Sequence, residues 1–225
     1  MTIRRWSEGI FSPNTPDFVA IATRWQSDVS VRLLQLVWKA YDSLRHDNPE
    51  SLRPHDERNV TQHLETRIRG VMTGYEPYEV QHGAYEWETR HSAQAQPPQY
   101  DIAFKIIEEE RIMWPLEAKI LRTDRSVANY VADVRDQFLT CRYAPFSSEG
   151  GMLGYLLSGE AETAFRNIAL HLECHVQEHP AFKGRPHRLS RHIRTIPTGK
   201  AYPSNFTCHH LILVFTDTDD SCTEE

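Results

Sequence analysis

Residues 100–120 read YDIAFKIIEEERIMWPLEAKI, and two alternating runs within them decide the fold. In residues 100–107, Ile102, Phe104 and Ile106 share one face while Asp101, Ala103 and Lys105 share the other. In residues 112–120, Ile112, Trp114, Leu116, Ala118 and Ile120 alternate with Met113, Pro115, Glu117 and Lys119. A period of two on both sides of an acidic turn is the signature of a β-hairpin. Directly opposed residues in an antiparallel pair point the same way, so the two apolar faces match only across an odd-numbered loop. A loop of 108–110 pairs Phe104 with Trp114 and sets Asp101 across from Glu117. A loop of 109–111 sets Asp101 across from Lys119 instead. Either register brings Asp101, Glu117 and Lys119 onto one face, expected to lie away from the main core.

Outward from the hairpin, helical spacing of Phe18, Ile21, Leu33, Leu34, Leu36, Val37 and Tyr41 predicts a helix over about 17–46, with Trp25 and Trp38 as core or interface residues. Asn48, Pro49 and Pro54 end it. Asp56 is a candidate N-cap for a second helix that stops near Gly70 with Val60, Leu64, Ile68 and Val71 on its apolar line. At about 100° per residue, Glu57 falls about 20° from Leu64, and Glu65 lies about 80° further round, toward the flank. A carboxylate above a buried stripe calls for a partner. Residues 78–91 suggest a strand. Downstream come a helix stripe (Val127, Tyr130, Val131, Val134, Phe138, Leu139), an apolar run from Gly150 to Leu157, a helix near 161–176 and a last strand near 209–215. The order describes an α/β chain of the α+β kind, a mixed sheet flanked by helices. Residues 1–50 read as an N-terminal helical extension and 51–225 as the main domain.

The 225 residues are 40% hydrophobic and 25% charged, with mean hydropathy −0.57, enough to bury a sizeable core. No run approaches the ~20 apolar residues of a spanning helix, so no membrane partner is expected. The start, MTIRRWSEGIFSP, lacks the apolar stretch of a secretory signal. Four cysteines (Cys141, Cys174, Cys208, Cys222) make no disulfide framework and predict reduced thiols in a cytoplasmic protein. The net charge of −6 argues against a coat of nucleic acid. Charge is nonetheless uneven: residues 183–200 hold Lys183, Arg185, Arg188, Arg191, Arg194 and Lys200 with no acid, and the last ten residues hold five acids. A local basic strip governs phosphate contact more than the total does.

Two carboxylates beside a lysine on one sheet face suit a divalent ion such as Mg²⁺ or Mn²⁺, which takes hard oxygen ligands and leaves positions for water and a phosphate oxygen. Asp101 followed after a hairpin by Glu117-Ala118-Lys119 resembles the PD-(D/E)xK motif of the restriction-endonuclease-like nuclease superfamily. Over roughly 56–158, the helix and strand–strand–strand–helix–strand order resemble that superfamily's core: helix, three-strand meander, helix, strand. The resemblance implies Asp101 and Glu117 as metal ligands with the Ala118 carbonyl, Lys119 as the catalytic lysine and Glu57, in preference to Glu65, as an added acid. It also offers Gln137 from the following helix, although the next tyrosine, Tyr143, is six residues on rather than four. Tyr100 stands where the motif has proline, and Pro115 within the strand predicts a bulge or an unpaired edge. The implied activity is a metal-dependent phosphodiesterase, a DNA endonuclease of anti-phage defence, restriction or repair, acting on DNA rather than RNA. Arg122 and Arg125 beside the site, with Lys183, Arg185, Arg188, Arg191 and Arg194, would meet the backbone. An acidic surplus suggests an oligomer or a protein partner docked on the N-terminal helix. The alternative is a catalytically inactive nuclease-fold scaffold or binding subunit.

Other constellations are weaker. His171, Cys174, His175, His179 and the run Cys208-His209-His210 could assemble a zinc site, yet a histidine-rich amphipathic helix explains the same letters. The glycines of 150–154 lack the Gly-Lys-Ser/Thr of a phosphate loop and read as a strand with tight approaches. Cys141 reads as a packed thiol.

Overall fold

The computed structural model describes residues 15–47 and 56–215. The opening residues, the breakers Asn48, Pro49 and Pro54, Cys222 and the acidic terminal stretch lie outside the described residues. Helices α1 (Pro16–Asp47) and α2 (Glu57–Val71) precede strands β1 (Tyr78–His82), β2 (Ile102–Ile106) and β3 (Met113–Leu121). There follow α3 (Ala128–Asp133), which runs into a π-helical turn at Val134–Phe138, then β4 (Glu149–Leu156), α4 (Ala161–Leu172), β5 (Gln177–Glu178), β6 (His187–Ile193) and β7 (Asn205–Val214). Seven strands form one mixed sheet in the order β1-β2-β3-β4-β7-β6-β5. The first three run as an antiparallel meander, β4 lies parallel to β3, and β7 lies parallel to β4. Among the described residues no helix is long and apolar enough to cross a membrane.

The hairpin adopts the register of the three-residue loop: Ile102 faces Leu116, Ala103 faces Pro115 and Phe104 faces Trp114. The pairing is continuous, so the bulge expected at Pro115 is absent. Ile106 N–H donates to Ile112 O at 3.2 Å, so alternate pairs carry the ladder bonds and Pro115 falls at a non-hydrogen-bonded position. Its missing donor points toward β4, whose pairing with β3 begins only at Leu116 and Gly151. The proline therefore costs the sheet no bond.

Both faces of the sheet are covered. On one side α1 and α2 pack Leu33, Leu34, Val37, Leu64 and Ile68 against Phe104, Trp114, Leu116 and Leu153. On the other, α3, the π turn and α4 pack Tyr130, Phe138, Phe165 and Ile168 against Ala103, Met152 and Ile212. The polar face of the hairpin thus lies under a second layer instead of away from the core. The β4 glycines meet the tight-approach expectation. A Cβ on Gly151 would sit 2.5 Å from Leu116 Cδ2, and one on Gly154 would sit 2.7 Å from Ile212 Cδ1 and 2.8 Å from Leu121 Cδ1.

The last strand begins at Asn205, earlier than expected, and other segments also differ. The strand near 78–91 ends at His82, where Gly83 turns the chain at φ +71°. Helix α4 stops at Leu172 because Glu173 takes a left-handed cap. The basic segment contains β6, whose alternation Leu189, Arg191, Ile193 is masked by Leu189 alone being buried among the three. Helix α1 spans the predicted range and begins with proline at its first position, where no donor is lost. It is not an appended arm, however. Its stripe is sealed against α2 and the sheet. Leu34→Ala should lower the unfolding free energy by about 2–5 kcal/mol, as for any deeply buried leucine. A urea midpoint unmoved by this change would return α1 to the status of a peripheral helix.

Candidate functional site

Strand β3 continues to Leu121, but its pairing with β2 ends at Leu116. Beyond that point the β3 edge presents backbone donors with no strand to receive them. Asp101, just before β2, accepts from Ala118 N–H through Oδ2 at 2.8 Å. Glu57, in the first turn of α2, accepts from Ile120 N–H through Oε2 at 2.8 Å. Two carboxylates from distant segments thereby replace the missing ladder. Each has a local cause. Asp56 caps α2 by accepting from Arg58 N–H, which starts the helix at Glu57. Tyr100 holds the backbone before Asp101: it is buried, its hydroxyl donates to Glu86 Oε2 at 2.6 Å, and it accepts from Ala144 N–H at 2.8 Å. Burial pushes the Glu86 carboxyl up to about 7 against that hydrogen bond.

Lys119 lies at the centre. Its ammonium donates to Ala118 O at 2.7 Å and Glu117 Oε1 at 3.0 Å, and lies 3.0 Å from Asp133 Oδ2 and 3.4 Å from Glu57 Oε1. Burial works against this charge, but Glu117, Glu57 and Asp133 outweigh it and hold the ammonium above its ordinary value. Glu117 is under the opposite pressure. Burial, then the neighbouring Asp101, pushes its carboxyl well above the usual range while Lys119 pulls it down. Its second oxygen, Oε2, is buried without a hydrogen-bond partner among the described residues, as is Gln137 Oε1 on the π turn. Tyr143 walls the same site. Its hydroxyl donates to Gln99 O at 2.9 Å, and burial followed by Glu117, Asp133 and Asp101 keeps it protonated. A cleft of about 700 Å³, lined by Glu57, Arg58, His82, Tyr85, Gln99 and Asp101 among others, opens onto the acids.

The sequence-expected residues divide accordingly. Asp101, Glu117, Lys119 and Glu57 converge. The Ala118 carbonyl is engaged by Lys119, and Gln137 sits on the turn that covers the site. Glu65 does not join them. It is buried, not flanking, because it pairs with Arg69 eight residues (about 12 Å) along α2 from Glu57. Asp133 was missed, although it lies only about 60° from Tyr130 on the α3 stripe, the same signal that singled out Glu57.

The basic strip is largely structural. Arg194 is 5% exposed and donates to the carbonyls of Phe138, Tyr143, Ala144 and Ser147, which fastens the end of the π turn to the loop behind it. Arg185 makes a two-point pair with Asp42, Arg188 pairs with Glu162, and Lys200 pairs with Glu88. Of the proposed backbone contacts, Arg122, Arg125, Lys183 and Arg191 are exposed. Strand β6 lies three strand positions, about 14 Å, from β3. The zinc set also fails to assemble as spelled: His171 and His175 are exposed, and Cys208 and His210 lie beneath α3. His179 and His209 instead meet His187 on the α1 side, and burial with the adjacent His209 pushes His179 down to about 4. Cys141 is a buried thiol, and burial raises it.

No family model, curated protein or solved structure matches this chain.

A carboxyl whose pKa is raised by folding takes up protons in the native state, so it lowers stability as pH rises above the ordinary carboxylate value of 4.5. Glu117→Gln removes that cost, and Lys119 keeps Glu57 and Asp133 as counter-charges. The variant should therefore gain stability at neutral pH, with the gain shrinking toward pH 4.5. Denaturant unfolding at the two pH values measures it. A loss at neutral pH would mark Glu117 as a structural ion-pair partner.

Proposed function

We propose that the chain is a metal-dependent phosphodiesterase that cleaves nucleic acid, DNA rather than RNA, in the manner of the PD-(D/E)xK nucleases. The observation that carries this reading is the unpaired β3 edge, where Asp101, Glu117, Lys119 and Glu57 converge and one buried Glu117 oxygen is left without a partner among the described residues. The order α2, three-strand meander, α3, and a β4 parallel to β3 supports it, as does the cleft that opens onto Asp101.

The donor chemistry fits a hard divalent ion. Carboxylates outnumber ammonium groups at the edge, which leaves negative charge to be compensated, and the unpaired Oε2 of Glu117 is a ready oxygen ligand. Asp101 and Glu117, with the Ala118 carbonyl, would hold Mg²⁺ or Mn²⁺. Such an ion neutralises charge on a phosphate oxygen and acidifies water. The remaining work falls to the chain. Lys119, held charged by three carboxylates, supplies a fixed ammonium for the negative charge that builds on the phosphoryl group. Glu57 and Asp133 restrain that ammonium, and Glu57 also pins Ile120, which keeps the strand edge from pairing elsewhere. Gln137 Oε1 is an acceptor available to orient a water molecule. Exposed Arg122 and Arg125, just beyond β3, and Arg58 in the cleft offer contacts to the phosphate backbone.

The full chain, incubated with plasmid, linear and single-stranded DNA and with RNA in Mg²⁺ or Mn²⁺, should cleave DNA, and chelation should abolish the cleavage. Lys119→Ala and Glu117→Ala should each reduce the rate by about two to three orders of magnitude while the fold is retained. Cleavage that survives both substitutions would refute the assignment. A folded chain inert toward every substrate with either ion would favour a non-catalytic nuclease-fold subunit.

A further inference from the structure

On the face of the sheet opposite Glu117, three imidazoles meet beneath α1. His187 opens β6, His209 lies on β7, and His179 follows β5, with its N–H donating to His187 O at 3.3 Å. The antiparallel register pairs Leu189 with His209 and His187 with Leu211, so His187 and His209 are diagonal neighbours on one face. All three are buried. Ring centroids are 4.7 Å apart for His179 and His187, 5.4 Å for His179 and His209, and 5.7 Å for His187 and His209. One nitrogen from each lies within 4.8 Å of the others.

One nitrogen of each ring is engaged, and two of the three remaining ones are not. His209 Nε2 lies 3.3 Å from Glu149 Oε2. His187 Nδ1 accepts from Trp38 Nε1–H at 3.2 Å, and His179 Nδ1 accepts from Ala181 N–H at 3.1 Å. That leaves His209 Nδ1 and His187 Nε2 buried with no partner among the described residues. Two orphaned ring nitrogens each carry a desolvation cost that an apolar core would not incur. A carboxylate on the far nitrogen of His209 is the arrangement that fixes the tautomer and turns the other lone pair inward for a metal.

We propose that His179, His187 and His209 form a binding site for a borderline transition ion of the Zn²⁺ type, with Glu149 orienting His209 and a fourth position left to water. An all-imidazole donor set suits such an ion, whereas Mg²⁺ prefers oxygen. Bound there, the ion would clamp β6, β7 and the turn after β5 under α1. Ligation through Nε2 places the ring proton of His187 on Nδ1, against the Trp38 indole N–H. That contact and the Ala181 one must open on loading, so Trp38 reports binding. The site shares no residue with the β3 edge, and its test does not depend on cleavage.

The test uses the full chain stripped by chelation and titrated with Co²⁺ as an optical stand-in for Zn²⁺. One equivalent should bind with the visible absorption of a four-coordinate, nitrogen-rich site, change the fluorescence contributed by Trp38 (absent in Trp38→Phe) and raise the melting temperature. Zn²⁺ should displace it. His209→Gln should abolish the absorption, and Glu149→Gln should weaken affinity by about 10–100-fold. Absence of the absorption from the wild-type titration would overturn the proposal even if His209→Gln fails to fold. Equal absorption in wild type and a folded His209→Gln would overturn it too.

Discussion

A strand that outruns its neighbour must find other partners for its backbone donors, and β3 does so with side chains. Where β2 stops, Asp101 and Glu57 take the N–H groups of Ala118 and Ile120. An unpaired buried donor costs about as much as the side-chain bond that replaces it, so the geometry of the edge dictates that carboxylates from separate segments arrive within reach of one another. Glu117 and Lys119, which alternate with the capped residues, then have no choice but to sit between them. The concentration of charge follows from how the sheet ends.

This arrangement carries an electrostatic imbalance. Glu57, Asp101, Glu117 and Asp133 surround one ammonium, and Glu117 among them is buried. Lys119 is stabilised as a cation by that imbalance, and Glu117 is strained by it. The π turn that supports the cluster is itself held by Arg194, whose guanidinium is spent on four carbonyls. The residue that looked like part of a phosphate-binding strip is thus a brace for the site's covering turn.

Much of this was readable in the one-dimensional pattern. Period-two alternation with a parity constraint gave the Phe104–Trp114 pairing among its two registers, and Asp56 as a cap placed Glu57 at the start of α2 on the sheet side. Other features left weak traces. Asp133 sat at the margin of the α3 stripe, but a single acid on a helix flank is ordinary until Lys119 is known to reach it. Pro115 pointed to a bulge or an unpaired edge because the sequence does not say which pairs of a hairpin carry hydrogen bonds, and on its β4 side it is unpaired. His187 was hidden among arginines, since a short strand with one buried apolar residue has no audible period.

Local periodicity and end signals are properties of neighbouring residues, so the sequence alone determined the helices, the hairpin, its two permitted registers and the face shared by Asp101, Glu117 and Lys119. The order in which strands join, the second layer above the polar face, the fate of each arginine and the meeting of His179, His187 and His209 were decided only in three dimensions. These depend on parallel pairing and on contacts between residues far apart in the chain, whose closure depends on the whole core being satisfied at once and not on any segment's own preference.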